Sequence, residues 1–517
     1  MVHLFEWKWT DIANECENFL QYYGYGAVQI SPPNEHVLIV KSGDLPWWVR
    51  YQPVSYKLSS RSGNREQFIN MVQRCNKVGV RIIVDAVLNH MTGAGMKKGE
   101  NGVSSSGDSY FDSTPGQETF PGVPYGHGDT NDWRCDHDID GGDYRNSSIN
   151  ENGCAKVRNC RLVSLIDLNQ GSEYVRSKII EYLNGLINIG VAGFRFDASK
   201  HMWPADLKAI VDRVKNLSSD IFGVNQRPFI VHEVIDRGGE AVKLEEYVNI
   251  GRYTDFNYGS AIAKAARKEK DFSDLKWLGP GYGYGNLAGN DVLAFIDNHD
   301  NQRDWHPYVP TYKNGDQYAV CVGFMLAWTY GYPRVMSSYY FNGSDQGPPS
   351  YGAESNFATK SPAFAIDKSC LSSSGFVCEH RWQAIRGMAR FRQICTGVGV
   401  DAITSDTNRL AFARPGKGYF ALNNDNSIWP LTVKTTLPEG VYCEVWSGEP
   451  KDRECTGKAQ PHSTFQLANL WRFISEQKSD ENANRIAIVC KSIPKFCVLQ
   501  LLDKNFMRNY LSTRVVF

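Results

Sequence analysis

The chain has 517 residues, room for two or three domains, and its 42% hydrophobic and 22% charged residues are the proportions of a folded protein with a large core. Basic and acidic side chains balance at 56 each, so the formal net charge is zero and nothing favours nucleic acid or an anionic membrane as a partner. No apolar run is long enough to cross a bilayer.

Met1–Glu6 reads as a short apolar strand. Asp11–Tyr23 follows at helical spacing, with Ile12, Cys16, Phe19 and Leu20 on one face and Gly24 ending it. Ala27–Ile30 is a second strand, Asn64–Lys77 a second helix and Val80–Val87 a third strand that runs into Asn89-His90. From Met91 to about Asn159 the chain is rich in Gly, Asp, Ser and Asn and has little periodicity. That is too long for a loop and reads as an inserted small domain, with Phe111, Phe120, Tyr125 and Trp133 arguing for an ordered one. Alternation resumes with a strand at Leu162–Leu168. A helix follows, capped by Ser172 and stopped by Gly190. The strand Val191–Phe196, a helix near Pro204–Leu217, and strands at Phe229–Glu233, Leu293–Asp297 and Arg334–Met336 come next, and Trp382–Cys395 closes the set as a helix.

Strands alternating with helices imply parallel βα units, and a count near eight favours a (β/α)8 barrel, a TIM-type α/β fold, over an open sheet. No Gly-rich phosphate fingerprint follows the first strand, which argues against a dinucleotide fold. After about Thr396 short alternating runs at 410–413, 419–422 and 431–433 read as a small antiparallel β domain. The expected division is a barrel over 1–90 and 159–395, an insertion over 91–158, a β domain over 396–490 and an atypical tail over 491–517.

Thirteen cysteines include three close pairs, Cys154 with Cys160, Cys370 with Cys378 and Cys443 with Cys455, which read as disulfides of an oxidising compartment. Sequons at Asn146, Asn216 and Asn342 fit export. Met1 opens directly on Val2-His3-Leu4-Phe5, without the pattern of a signal peptide.

Four strand ends carry polar groups that a core would not choose: Asp85/Asn89/His90, Arg195/Asp197/Lys200/His201, His232/Glu233 and Asp297/Asn298/His299/Asp300. In a barrel these ends converge on one mouth. Several carboxylates at one mouth suit glycoside hydrolysis, in which one attacks the anomeric carbon and another protonates the leaving oxygen. The simplest alternative for Arg195 is a buried ion pair with one of the acids.

Residues 85–90, 193–201, 233–236 and 295–300 resemble, in order, the four conserved-region motifs of the α-amylase family, with the likeness running from Met1 to roughly Gly457 and lying nearest the chloride-dependent animal members. The stretch 341–349 is similar to the insect branch. The resemblance implies endo-acting, retaining hydrolysis of internal α-1,4-glucosidic bonds in starch, glycogen and malto-oligosaccharides by a secreted monomer. The alternatives are an α-glucosidase or transglycosylase of the same family, or an inert carbohydrate-binding homologue. It implies Asp197 as nucleophile, Glu233 as acid/base and Asp300 as the carboxylate that binds and distorts the sugar. Trp47, Trp48, Tyr51, Gln52, His90, Arg195, Lys200 and His299 would contact substrate. A calcium ion would be held by Asn89, Asp167 and the backbone carbonyls of Arg158 and His201, and a chloride ion by Arg195, Asn298 and Arg334. Cys16 would pair with Cys75, and Cys135 or Cys154 with Cys160. The sequence departs from the family at His232, where Gln is usual; at 304–307, which replaces a Gly-rich loop; at Ser59, which removes one cysteine of vertebrate members; and beyond about Lys458.

Overall fold

The computed structural model describes residues 1–145, 154–304, 306–427, 429–434, 436–437, 442–451, 454–457, 485–490 and 495–501. Eight parallel strands close a barrel: β1 Val2–Leu4, β2 Ala27–Ile30, β3 Arg81–Ala86, β4 Gly193–Phe196, β5 Phe229–His232, β6 Arg252–Asp255, β7 Val292–Phe295 and β8 Tyr332–Ser337. Each pairs with its neighbours in sequence, and β1 closes on β8 with Val2 opposite Val335. Around the barrel run α1 Trp9–Asn18, α2 Arg65–Lys77, α3 Glu173–Ile189, α4 Pro204–Arg213, α5 Tyr258–Ala266, α6 Asp316–Ala327 and α7 Gln383–Ile394.

Strand pleating explains how the barrel makes a site. Residues two apart share a face. Ile83, Val231 and Leu293 form a small apolar cluster with Ala27, Ala192 and Phe229. Two residues further along the same strands stand Asp85, Glu233 and Phe295, and two beyond Phe295 stands Asp297. The inward face is therefore apolar first and acidic at the C-terminal end, where the loops open. Gly193 permits the tight approach of β4 to β5, because a Cβ there would lie 2.1 Å from the Phe229 carbonyl oxygen.

Two helix-end expectations come out differently. Gly190 does stop α3, in the left-handed conformation at φ 109°. Ser172 sits at the N-cap, but its side chain makes no capping bond; α2, in contrast, starts with a full capping box between Asn64 and Gln67.

The strand expected at Leu162–Leu168 is not part of the barrel. Only Leu165–Asp167 is extended, and it pairs antiparallel with His90–Gly93, Asp167 opposite His90. The barrel place belongs to Arg252–Asp255, whose Arg-Tyr-Thr-Asp sequence lacks the apolar run of a buried strand. The inserted segment is built from small pairings, such as Thr119–Phe120 with Tyr125–Gly126, around buried Phe111, Phe120 and Tyr125. It is closed by the disulfide Cys135–Cys160. Cys154 stays free, against the close-pair reading. The helix Cys154–Asn159 lies between it and Cys160 and advances the chain by about 9 Å, beyond the roughly 7 Å Cα limit of a disulfide. Cys16–Cys75 and Cys370–Cys378 are bonded, and Cys443 is in a disulfide, whereas the side chain of Cys455 lies outside the described residues.

The C-terminal sheet runs Asp401–Asp406, Arg409–Arg414, Gly418–Asn423, Lys495–Leu501, Tyr442–Glu444, all antiparallel. Lys495–Leu501 was expected as tail without a place, yet it lies between two strands of this sheet. Within the same domain Arg485–Cys490 pairs antiparallel with Trp429–Lys434. The tail beyond residue 501 lies outside the described residues.

Candidate active site

Arg195 organises the barrel mouth. Register sets it beside Asp85 on β3 and Val231 on β5. Its Nη1 donates to Asp85 at 2.6 Å and to Asp197 at 2.8 Å, while Nη2 pairs with Glu233. The ion-pair reading of this arginine therefore holds, with three acids rather than one. The Glu233 carboxylate is fixed a second time by the Ala198 N–H, 2.9 Å from Oε2. Asp85 is fixed a second time by the Tyr51 hydroxyl at 3.0 Å.

The electrostatics follow from crowding. Burial drives the Asp197 carboxyl well above its ordinary range; Glu233 and Asp85 add to this and Arg195 opposes it. Burial likewise raises Asp85. Burial would lower the Arg195 guanidinium, but its acidic neighbours hold it well above its usual value. Asp300, less deeply buried, is pushed up to about 6 by burial and by the charges of Glu233 and Asp304.

Rings line one side. His299 stacks on Tyr51 with centroids 5.0 Å apart and planes 8° apart, and Trp47 meets both edge-on. Trp47 and Trp48 are half-buried, each with part of its ring left to solvent. His90 Nε2 donates to the Tyr51 carbonyl at 2.9 Å, and burial lowers its pKa to about 4. Gln52 accepts the Gly93 N–H at 3.0 Å, so it ties the inserted segment to the platform. Lys200 is turned away from the acids: it pairs with Glu240 and donates to the Ile235 carbonyl at 2.8 Å.

His232 lies outside the mouth. It precedes Glu233 and so faces the opposite side of β5, where Nδ1 is 3.1 Å from the Ser199 hydroxyl and the ring lies near Tyr247. Burial pushes it down to about 3, so it is neutral. Of the loop at 304–307, Trp305 lies outside the described residues.

Two flanking sites leave buried polar atoms without protein partners. Asn89 Oδ1 and Asp167 Oδ1 are buried and unpaired, although Asp167 Oδ2 accepts from Asn131 at 2.7 Å. Burial holds the Asp167 carboxyl well above its usual range. His201 Nδ1 meets the Val157 carbonyl at 2.8 Å, bringing the segment of Arg158 against that of His201. Unpaired hard oxygens around a buried acid suit a hard cation. On the opposite side, Arg334 gives Nη1 to Gln29 at 2.8 Å, but its Nε and Nη2 are buried and unpaired. Among the described residues no carboxylate pairs with it, and burial and Arg195 lower it to about 10. That chemistry suits a small anion. The nearby trio His3, Asp85 and His299 has metal-ligating atoms within 4.8 Å of one another, yet Asp85 is already paired with Arg195 at 2.6 Å and the charges of Arg195 and Arg334 lie beside both imidazoles, so a cation is disfavoured there.

Sequence reasoning gave no role to Gln29, Glu240 or Arg303. Gln29 carried a weak signal, a polar side chain inside an apolar barrel strand. Arg303 and Glu240 sit in loops and carried none.

A closed parallel barrel that brings carboxylates together around one arginine, with stacked rings alongside, defines a glycoside hydrolase. The family profile for the catalytic domain of alpha amylase matches residues 51–227, and that for its C-terminal all-beta domain matches residues 401–487. Human pancreatic alpha-amylase is 47% identical over 472 residues, covering 88% of each chain. Alpha-amylase of Tribolium castaneum is 47% identical, covering 89% of this chain and 88% of the relative. Alpha-amylase I of Eisenia fetida, solved as a mutant with maltohexaose, superposes with a TM-score of 0.84 at 37% identity, covering 97% of each chain. The chain belongs to the α-amylase family, and it is an enzyme of the glycoside hydrolase class.

Proposed function

We propose that the chain is an endo-acting, retaining α-amylase that cleaves internal α-1,4-glucosidic bonds in starch, glycogen and malto-oligosaccharides. The observation that carries this reading is the hold of one guanidinium on both Asp197 and Glu233. In the first step Asp197 attacks the anomeric carbon while Glu233 gives its proton to the glycosidic oxygen; the C1–O bond breaks and a glycosyl ester forms. In the second step the Glu233 carboxylate takes a proton from water, whose oxygen attacks C1 and releases Asp197. Two inversions restore the starting configuration. Asp300 would hold sugar hydroxyls, through bonds that strengthen as the ring flattens. Arg195 acts by holding the carboxylates in place, with Nη1 on Asp85 and Asp197 and Nη2 on Glu233. Trp47, Trp48, Tyr51 and His299 offer ring faces and edges to successive glucose units. His90 and Gln52 support that surface from beneath.

Asn89 and Asp167, with the carbonyls of Arg158 and His201, would hold calcium, which supplies a cross-link between the inserted segment and the barrel. Arg195, Asn298 and Arg334 would hold chloride, whose fixed negative charge favours the protonated general acid. The disulfides support release into an oxidising compartment, and exposed Asn216 and Asn342 suit glycosylation. One copy of the chain carries the whole constellation, which supports a monomer.

The test is release of reducing ends from starch, maltotriose and maltose by the wild type and by Glu233→Gln. The wild type should cut starch fastest and maltose slowest. Glu233→Gln should lose about 10²–10⁴-fold, the usual contribution of a general acid. Starch left intact by the wild type overturns the reading.

A further inference from the structure

Arg303 stands three residues beyond Asp300, and among the described residues no carboxylate pairs with it. Its half-buried guanidinium binds backbone, hydroxyl and rings instead. Nε donates to the His299 carbonyl at 3.0 Å, Nη1 to the Ser344 carbonyl at 3.1 Å and Nη2 to the Tyr339 hydroxyl at 2.8 Å. The Ser344 carbonyl also accepts the Trp47 indole N–H, at 2.9 Å. The guanidinium carbon lies 4.2 Å from the Phe341 ring centroid and 5.1 Å from that of Trp47. One residue along, Asp345 accepts the Trp48 indole N–H at 3.2 Å and pairs with Lys41 at 2.7 Å. Both tryptophans are thus fastened to residues 344 and 345, and Arg303 fastens residue 344 to the residue that precedes Asp300.

We infer that Arg303 is a positioning residue that sets the distance between the Asp300 carboxylate and the Trp47–Trp48 stacking face, with residues 341–345 as the strap it acts through. The inference rests on the function proposed above for Asp300 and the two tryptophans. A planar fork with fixed donor directions can serve three acceptors at once while its faces lie on rings; an ammonium offers neither the plane nor the fork. Without the fork, Ser344 keeps only its bond from Trp47, and the strap and platform can shift together relative to Asp300. An error near 1 Å between stacking face and reacting centre is enough to cost about a hundredfold in rate.

The experiment compares Arg303→Met, Arg303→Lys, Trp47→Phe and the double variant Arg303→Lys/Trp47→Phe with the wild type, on maltotriose and maltoheptaose, in the full-length chain with calcium and chloride present. Trp47→Phe keeps a ring but removes the N–H to Ser344. Each Arg303 variant should lower kcat/KM for maltoheptaose by about a hundredfold, with KM rising as well as kcat falling, and with a smaller loss on maltotriose. The double variant should cost less than the product of the single effects, because both act through one carbonyl. Variants that lose melting temperature but keep wild-type kcat and KM would make Arg303 structural only and overturn the inference, as would strictly multiplicative effects in the double variant. If Arg303→Met does not fold, the Arg303→Lys and Trp47→Phe pair reads the same coupling. A wild type inactive on maltoheptaose removes the underlying function, whereas an active wild type with indifferent variants removes only the role of Arg303.

Discussion

Arg195 and Arg334 are both buried and feel each other's charge, yet only Arg195 is met by carboxylates. The unpaired Nε and Nη2 of Arg334 are the donors that the proposed chloride would take up. Exhaustive removal of chloride should lower starch hydrolysis at pH 7 by about tenfold or more, and Arg334→Gln should leave an activity that no longer responds to added chloride. Unchanged wild-type activity after dialysis would sink this. In the proposed mechanism Asp300 would set the acid limb of the pH profile. Its pKa is raised to about 6, so the ionised form that the proposed mechanism uses would be lost as pH falls through that value. Asp304→Asn removes one of the raising charges and should move the acid limb of kcat/KM to lower pH. The acids themselves were legible in the sequence because strand-end carboxylates have few structural reasons to exist. The partners that hold them were less so. Arg334 bonds to Gln29, 305 positions away, and Trp47 to Ser344, 297 away, and no local pattern encodes such meetings.

At the scale of elements, the strand pair His90–Gly93 and Leu165–Asp167 carries the proposed calcium ligands Asn89 and Asp167 at its edges, where the inserted segment leaves and rejoins the barrel. Calcium at a hundred times its Kd should stabilise the folded chain by about 2.7 kcal/mol. That gain, read as the shift of the thermal midpoint between calcium and EGTA, should vanish in Asp167→Asn. A midpoint indifferent to calcium in the wild type would remove the ion from the account. The same elements show why one barrel strand was misplaced. Leu165–Asp167 has the apolar texture of a barrel strand but pairs with its own insertion, while Arg252–Asp255 has a charge at each end and still completes the barrel. Closure of the ring decides which segment is used, and closure is a property of eight strands together. Helix α6 shows the converse. All but its first two residues are buried, so it lacks the one-sided pattern by which the other helices are recognised.

For the whole molecule, acids buried outside the mouth add to how stability depends on pH. Burial raises Asp255 and Glu379 to about 7. A carboxyl whose folded pKa lies above its unfolded value favours the folded state while it stays protonated, and that contribution is lost as pH rises from the unfolded value through about 7. Glu379→Gln should therefore gain on the wild type as pH rises from 4 to 8, by about 3 kcal/mol in urea unfolding. A constant difference across that range would contradict the assignment. The architecture was legible because alternation of strand and helix repeats along the chain. The place of Lys495–Leu501 was not, because its partners at 418–423 and 442–444 lie far back in sequence. What the barrel, the inserted segment and the ring-lined mouth make together is most directly tested by following the anomeric protons by NMR as the wild type cuts starch. The α-anomer should appear first, on oligosaccharides of several lengths. The β-anomer appearing first, or glucose as the only early product, would contradict an endo-acting, retaining enzyme.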